Sequence, residues 1–110
     1  MNKRKILQEC IGFDWDQHNI QKNWEKHKVS PVESEQAFFN KPLIIADDPK
    51  HSRIERRFYA LGRTDQDRKL FIVYTVRRKL IRVISSRDMN KKERRVYEKR
   101  EKEKDSQVQG

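Results

Sequence analysis

The chain has 110 residues, 40% of them charged, and its 27 Lys and Arg against 17 Asp and Glu leave a formal net charge of +10. That length makes one domain with room for one sheet and a few helices, and the basic balance favours a polyanionic partner: nucleic acid before acidic protein or anionic membrane. The lone cysteine, Cys10, excludes an internal disulfide and an all-cysteine zinc site; no apolar run approaches the ~20 residues of a membrane span, and Met1-Asn2-Lys3-Arg4-Lys5 lacks the hydrophobic run of a signal peptide, so a soluble cytoplasmic protein is expected.

Residues 1–12 read as a polar leader anchored only by Ile6, Leu7 and Ile11, fit for a short strand, a short helix or a loose segment. Alternating aromatics in Phe13-Asp14-Trp15-Asp16 predict a brief strand, with Asp16 as N-cap of a helix from Gln17 to His27. Ile20, Trp24 and His27 recur there at helical spacing; His27 is either a functional imidazole or a neutral side chain packed beside Trp24. Ser30-Pro31-Val32-Glu33 holds every part of a helix start: a serine cap, proline at the first position and a glutamate to close a capping box. The helix it opens is expected to run to about Phe39, to bury Val32, Ala37, Phe38 and Phe39, and to stop before Pro42. Leu43 to Ala46 reads as a short strand and Asp47 to Ser52 as a polar loop. Arg56 to Arg63 is strand-like, alternating Phe58, Ala60 and Gly62 with Arg57, Tyr59, Leu61 and Arg63.

The run from Leu70 to Arg87 is the only stretch where β-branched and aromatic residues persist long enough for two adjacent strands, so any core must be built around it. With Arg78-Lys79 as a two-residue loop, Arg77 opposes Leu80, Thr75 opposes Arg82, Val73 opposes Ile84 and Phe71 opposes Ser86. One face then carries Leu70, Ile72, Tyr74, Val76, Ile81, Val83 and Ser85, a core. The other mixes Phe71, Val73, Thr75, Arg77, Leu80, Arg82, Ile84 and Ser86. A three-residue loop would bury Arg82 without a partner. Joining the preceding strand through Thr64 to Arg68 sets Arg63 opposite Lys69, Leu61 opposite Phe71, Tyr59 opposite Val73 and Arg57 opposite Thr75, which adds Arg57, Tyr59 and Arg63 to the arginine-bearing face. After Arg87, Asn90 to Glu93 is a second box-like helix start. The helix it opens can dock through Val96 and Tyr97, whereas Glu98 to Asp105 has no apolar face and leads into a flexible Ser-Gln-Val-Gln-Gly tail.

There is no glycine-rich phosphate loop, HExxH, cysteine–histidine cluster or nucleophile elbow, and no cofactor is expected. Phe13-Asp14-Trp15-Asp16, Asn23-Trp24-Glu25-Lys26-His27 with Val29-Ser30, Asp47 then His51-Ser52 with Glu55 and Arg57, Leu61-Gly62-Arg63, and Ile81 to Arg87 with Glu93-Arg94-Arg95 and Tyr97 together resemble the BrnT toxins of type II toxin-antitoxin systems. The likeness covers residues 13–98, flanked by the leader 1–12 and the charged helix end and tail 99–110. It departs at Lys28, where the family usually has glycine, at Pro31, where an aromatic is usual, and at Asp88-Met89, in place of an alanine-containing pair. The resemblance implies a RelE-like α+β fold: an antiparallel sheet of about four strands, two N-terminal helices on one face and a C-terminal helix. It implies a ribonuclease that blocks translation until a BrnA-like ribbon-helix-helix antitoxin covers it, with operator DNA reached only through that antitoxin.

Metal-free RNA cleavage needs a base for the ribose 2′-hydroxyl, cations for the phosphate and an acid for the leaving oxygen. Arg57, Arg77 and Arg82 on one face could form a phosphate clamp that Arg87 extends, since guanidinium donates two hydrogen bonds and stays charged. His51 is the most economical proton carrier, with Tyr59 or Glu55 sharing the work. The expected catalytic set is therefore His51, Glu55, Arg57, Tyr59 and Arg82, with Arg63, Arg77, Arg87, Lys91 and Arg94 on RNA phosphate. Each has a bland counterpart: Arg82 paired with Glu55 or Asp47, His51-Ser52 shaping a turn, Arg77 solvated, and Lys91, Lys92, Arg94, Arg95, Lys99 and Arg100 as a solvated helix face. The competing functions are a non-catalytic RNA-binding or ribosome-associated module, with only Phe71 and Tyr59 available for stacking, and a degenerate toxin kept as an interaction partner.

Overall fold

A computed structural model describes residues 2–51 and 53–109, with side chains as far as Glu103; Ser52, expected to help shape a turn, lies outside the described residues. The elements are α1 (Lys3–Gln8), β1 (Gly12–Phe13), α2 (Gln17–His27), α3 (Pro31–Phe39), β2 (Ile44–Asp47), a short 3-10 turn (Pro49–His51), β3 (Arg57–Arg63), β4 (Lys69–Arg77), β5 (Leu80–Asp88) and α4 (Lys91–Gln109). They form an α+β fold on a five-stranded sheet ordered β1-β5-β4-β3-β2. The sheet is mixed, not wholly antiparallel and not four-stranded: β1 runs parallel to β5, setting Gly12 beside Leu80 and Phe13 beside Ile81. A strand that short is hard to see in sequence, and it begins one residue before the aromatic alternation. The leader takes the helical option, and Arg4 on α1 donates to the Leu43 carbonyl at 3.4 Å, tying it beside β2.

Both N-terminal helices start where their caps predict. Asp16 accepts from the Asn19 amide, and Ser30 and Glu33 close the full capping box. Their buried faces differ from expectation. On α2 the buried residue is Asn23, whose Oδ1 accepts from the Ser86 amide, while Trp24 is 49% exposed with the Lys28 ammonium over its ring. On α3, Ser34 and Ala37 are buried, whereas Val32 and Phe39, expected in the core, are 61% and 76% exposed. The helix comes close at one point, where a Cβ on Gly62 would stand 2.6 Å from the Ala37 carbonyl oxygen, so small residues meet there while Phe38 packs edge-on against Tyr74 beside it. Ser34 Oγ meets Ser86 Oγ at 2.9 Å in the same seam.

The β3–β4 register is the expected one along its whole length. In the β4–β5 hairpin, Arg78 and Lys79 form the two-residue turn with φ of 52° and 62°, and Arg77 opposes Leu80 and Thr75 opposes Arg82 as anticipated. A bulge between Val73 and Tyr74 then corrects the rest of the register: Val73 pairs with Ser85 and Phe71 with Arg87, leaving Ile84 as the extra residue. Ser86 therefore joins the core face, where Ser34 and Asn23 satisfy it, and Ser85 moves to the other.

Phe58, Ala60, Leu70, Ile72, Tyr74, Ile81 and Val83 make the main core with Val29, Ala37 and Ile45. On the opposite face, Leu61, Met89 and Tyr97 form a second cluster flanked by Ile44 and Phe71. It seats α4, whose Asn90–Glu93 box forms with bonds of 2.8 and 2.9 Å. Tyr97 carries the docking; Val96, expected to share it, is 50% exposed. The helix continues through Ser106 to Gln109. Because α4 covers only one end of this face, the other end stays open.

Candidate active site

The open end is built from cross-strand rows. Tyr59, Val73 and Ser85 lie side by side across β3, β4 and β5, with Arg57, Thr75 and Arg82 in the next row on one side and Leu61, Phe71 and Arg87 on the other. A cleft of about 390 Å³ rests on the middle row; Arg57 and Phe71 bound it along the strands, Ile84 of the bulge lines one wall, and Asp48 with His51 lines another. Of the sequence candidates, His51, Arg57 and Tyr59 are brought together here.

His51 Nδ1 stands 3.0 Å from Asp48 Oδ2, with the imidazole 60% and the carboxylate 19% exposed. An ionised carboxylate only accepts, so Nδ1 carries hydrogen and the neutral tautomer keeps its lone pair on Nε2. The Tyr59 ring stacks on Phe71, with centroids 5.4 Å apart and planes 25° apart. The Arg87 guanidinium lies 4.2 Å from the Phe71 centroid, held there by Glu93 through bonds of 2.8 and 3.0 Å.

A cation absent from the sequence-based set stands behind the bulge wall, outside the cleft's own lining. Lys22 on α2 donates to the Ile84 carbonyl at 3.0 Å, and burial, with Lys26 and Arg57 nearby, pushes its ammonium below the ordinary lysine range. The carbonyl that holds it belongs to the bulge residue, and no motif in the chain announces that bulge. Asp48 is likewise a residue that sequence reading passed over, though an Asp three positions before a His on a tight turn is a usable signal.

The remaining candidates sit apart. Arg82 is neighbour to Thr75 but turns to Asp14 and Asp16, at 3.0 Å each, rather than to Glu55 or Asp47; it ties β5 to the segment that leads into α2. Glu55 accepts from Arg77 at 2.7 to 3.0 Å and from the Thr75 hydroxyl at 2.8 Å. The Arg77 bonds lead the causes that bring its pKa down to about 2, so at neutral pH it is a fixed anion and a weak base. Arg63 donates to the Lys41 carbonyl at 3.0 Å, and Lys91 and Arg94 are exposed on the first turns of α4, outside the cleft. Among the described residues no group of three or more His, Cys, Asp or Glu could hold a metal ion, and no helix is long and apolar enough to cross a membrane.

Among curated proteins no sequence matches the chain. The family described as "Ribonuclease toxin, BrnT, of type II toxin-antitoxin system" matches over residues 15–93, a span that holds α2, α3, β2 to β5 and the whole cleft. The chain therefore belongs to the BrnT family of ribonuclease toxins from type II toxin-antitoxin systems.

Proposed function

We propose that the cleft is the RNA-cleaving centre and that it works without a metal ion. In this reading the neutral His51 Nε2 takes the proton of a ribose 2′-hydroxyl, and the freed oxygen attacks the adjacent phosphorus. Arg57 and Lys22 balance the charge that grows on the phosphate oxygens. The bond to the 5′-oxygen breaks as that oxygen receives a proton from the Tyr59 hydroxyl, leaving a 2′,3′-cyclic phosphate and a 5′-hydroxyl. The Tyr59–Phe71 stack offers a flat face for a base, and Arg87 steadies it. Arg82, Glu55 and Arg77 act on the frame: the first fixes the entry to α2, and the other two hold the Thr75 row beside Arg57.

The observation that carries this reading is the Asp48-oriented imidazole over the same floor as Arg57 and Tyr59. RNA incubated with the purified protein and a chelator should be cut, with cyclic phosphate at the new 3′ ends by mass spectrometry. His51→Ala and Arg57→Ala should each slow cleavage by about 10²–10⁴-fold. Cleavage abolished by the chelator, or full rates in His51→Ala, would sink it; intact RNA bound by the protein would favour a non-catalytic binding module.

In the cell, the same chemistry acts in the cytoplasm on mRNA, free or on the ribosome, and arrests translation. A BrnA-like ribbon-helix-helix antitoxin neutralises it by covering the cleft, and the pair reaches operator DNA through the antitoxin. Growth arrest on induction, relieved by the neighbouring small gene, is the matching observation.

A further inference from the structure

Charge on α4 is sorted by direction. Of its acidic residues, Glu93, Glu98 and Glu101 turn to the sheet, Glu93 onto Arg87 and the other two onto Lys69 at 3.3 and 3.5 Å, while the exposed Glu103 pairs with Arg100 at 4.0 Å. At 100° per residue, Lys91, Lys92, Arg95, Lys99 and Lys102 fall within an arc of about 100° on the opposite side, all exposed. They form a band roughly 17 Å long; Glu98 and Glu103 flank it, but each is drawn off by a cation outside the band, Lys69 and Arg100. A helix that needed only solubility would intersperse the two signs on its outer face. The row begins beside the cleft: Phe71 belongs both to the cleft wall and to the apolar patch that seats α4, with Arg87 against its ring.

We infer that the outer row of α4 is a second RNA contact, a track for the phosphate backbone of the strand as it leaves the cleft past Phe71 and Arg87. Flexible lysines and one arginine in line neutralise successive phosphates without reading bases, and no aromatic stands on the arc to stack them, so the track is indifferent to sequence. It raises substrate affinity and leaves the chemical step alone. Only the direction of the strand rests on the cleft being the cleavage centre; the row's affinity for RNA does not.

The test is equilibrium binding of a 2′-O-methyl RNA oligonucleotide, which cannot be cleaved, measured by fluorescence anisotropy across a salt series. The triple variant Lys92→Gln, Arg95→Gln, Lys99→Gln should lose about two units from the slope of log K against log salt, and about 100-fold in affinity at 0.1 M. A control that removes equal charge elsewhere, Lys5→Gln, Lys26→Gln, Lys28→Gln, should keep the slope. Single-turnover cleavage of ordinary RNA at saturating concentration should proceed at the wild-type rate in the track variant. An unchanged slope in that variant, or an equal loss in the control, overturns the track. Unchanged RNA binding with lost antitoxin binding would assign the row to the protein partner. Failure of the cleft reading would instead show as absent cleavage in the wild type with the slope difference intact.

Discussion

The proposed role of His51 as proton carrier rests on its partner, because the imidazole itself is largely exposed. Asp48 fixes the tautomer, so Asp48→Asn, whose amide can donate to Nδ1, should turn the lone pair away from the cleft. Cleavage is expected to fall about 100-fold while binding of uncleavable RNA is unchanged; equal loss of binding would make Asp48 a structural residue. Glu55 gives a prediction of another kind. Its pKa is about 2 in the fold against 4.5 as a free side chain, so the unfolded chain binds more protons in that interval. Stability contributed by the ionised carboxylate is complete above pH 4.5 and drains as pH falls towards 2. Glu55→Gln should therefore lower the urea midpoint at pH 7 and flatten its decline between pH 4.5 and 2; parallel declines would contradict the assignment. The effect is moderate, because Arg77 is exposed and its pairing is screened by solvent. At this scale the sequence yields what depends on alternation: Arg57 and Tyr59 on one face, with His51 beside them at the same cleft. Lys22 was out of reach because its position depends on a carbonyl displaced by the bulge, and the pairing of Arg82 with Asp14 and Asp16 was out of reach because they lie in a segment whose parallel pairing to β5 rests on two residues.

Elements with a local chemical signature were legible to within a residue or so, the capping boxes of α3 and α4 and the Asp16 cap; the two-residue turn, which lacks turn chemistry, was legible from the alternation of the strands around it. Their packing was less so: on α3, Ala37 and Phe38 pack on the core as expected, but Ser34 shares that face while Val32 and Phe39 turn outward. The close approach of α3 at Gly62 makes Gly62→Ala expensive. A new Cβ would meet the Ala37 backbone, which cannot yield as a side chain can, and a loss of about 1–3 kcal/mol is expected in denaturant unfolding. The opposite sign is expected at three left-handed residues, one at a helix end and two in a turn. Lys28, at the point where the resemblance expects glycine, caps α2 with φ of 54°. Lys28→Gly should gain up to about 1 kcal/mol, reduced by the loss of the Trp24 contact. Arg78→Asn with Lys79→Gly, in a turn where both φ values are positive, should gain a similar amount. A lower thermal midpoint in either would mean that these cations hold contacts worth more than the backbone strain.

At the scale of the molecule, the sheet divides its work between faces. One is sealed by α2 and α3; the other is shared between α4 and the open cleft, with Phe71 and Leu61 at the boundary. The cleft's shape should therefore depend on α4 staying in place, and α4 is held chiefly by Tyr97, which is fully buried and donates to the Pro42 carbonyl at 2.6 Å. Burial leads the causes that push its hydroxyl up to about 12, so it remains a donor at any physiological pH. Tyr97→Phe keeps the ring and leaves one carbonyl unpaired, a cost of about 1–3 kcal/mol that should leave cleavage near normal. Tyr97→Ala removes the ring as well, at about 3–5 kcal/mol. If α4 is a wall of the site, the alanine variant should lose cleavage at temperatures where its sheet is still folded, and trypsin should cut first among the basic residues between Lys91 and Lys102. If α4 merely decorates the sheet, cleavage should survive until the whole domain unfolds, and the two variants should differ only in melting temperature.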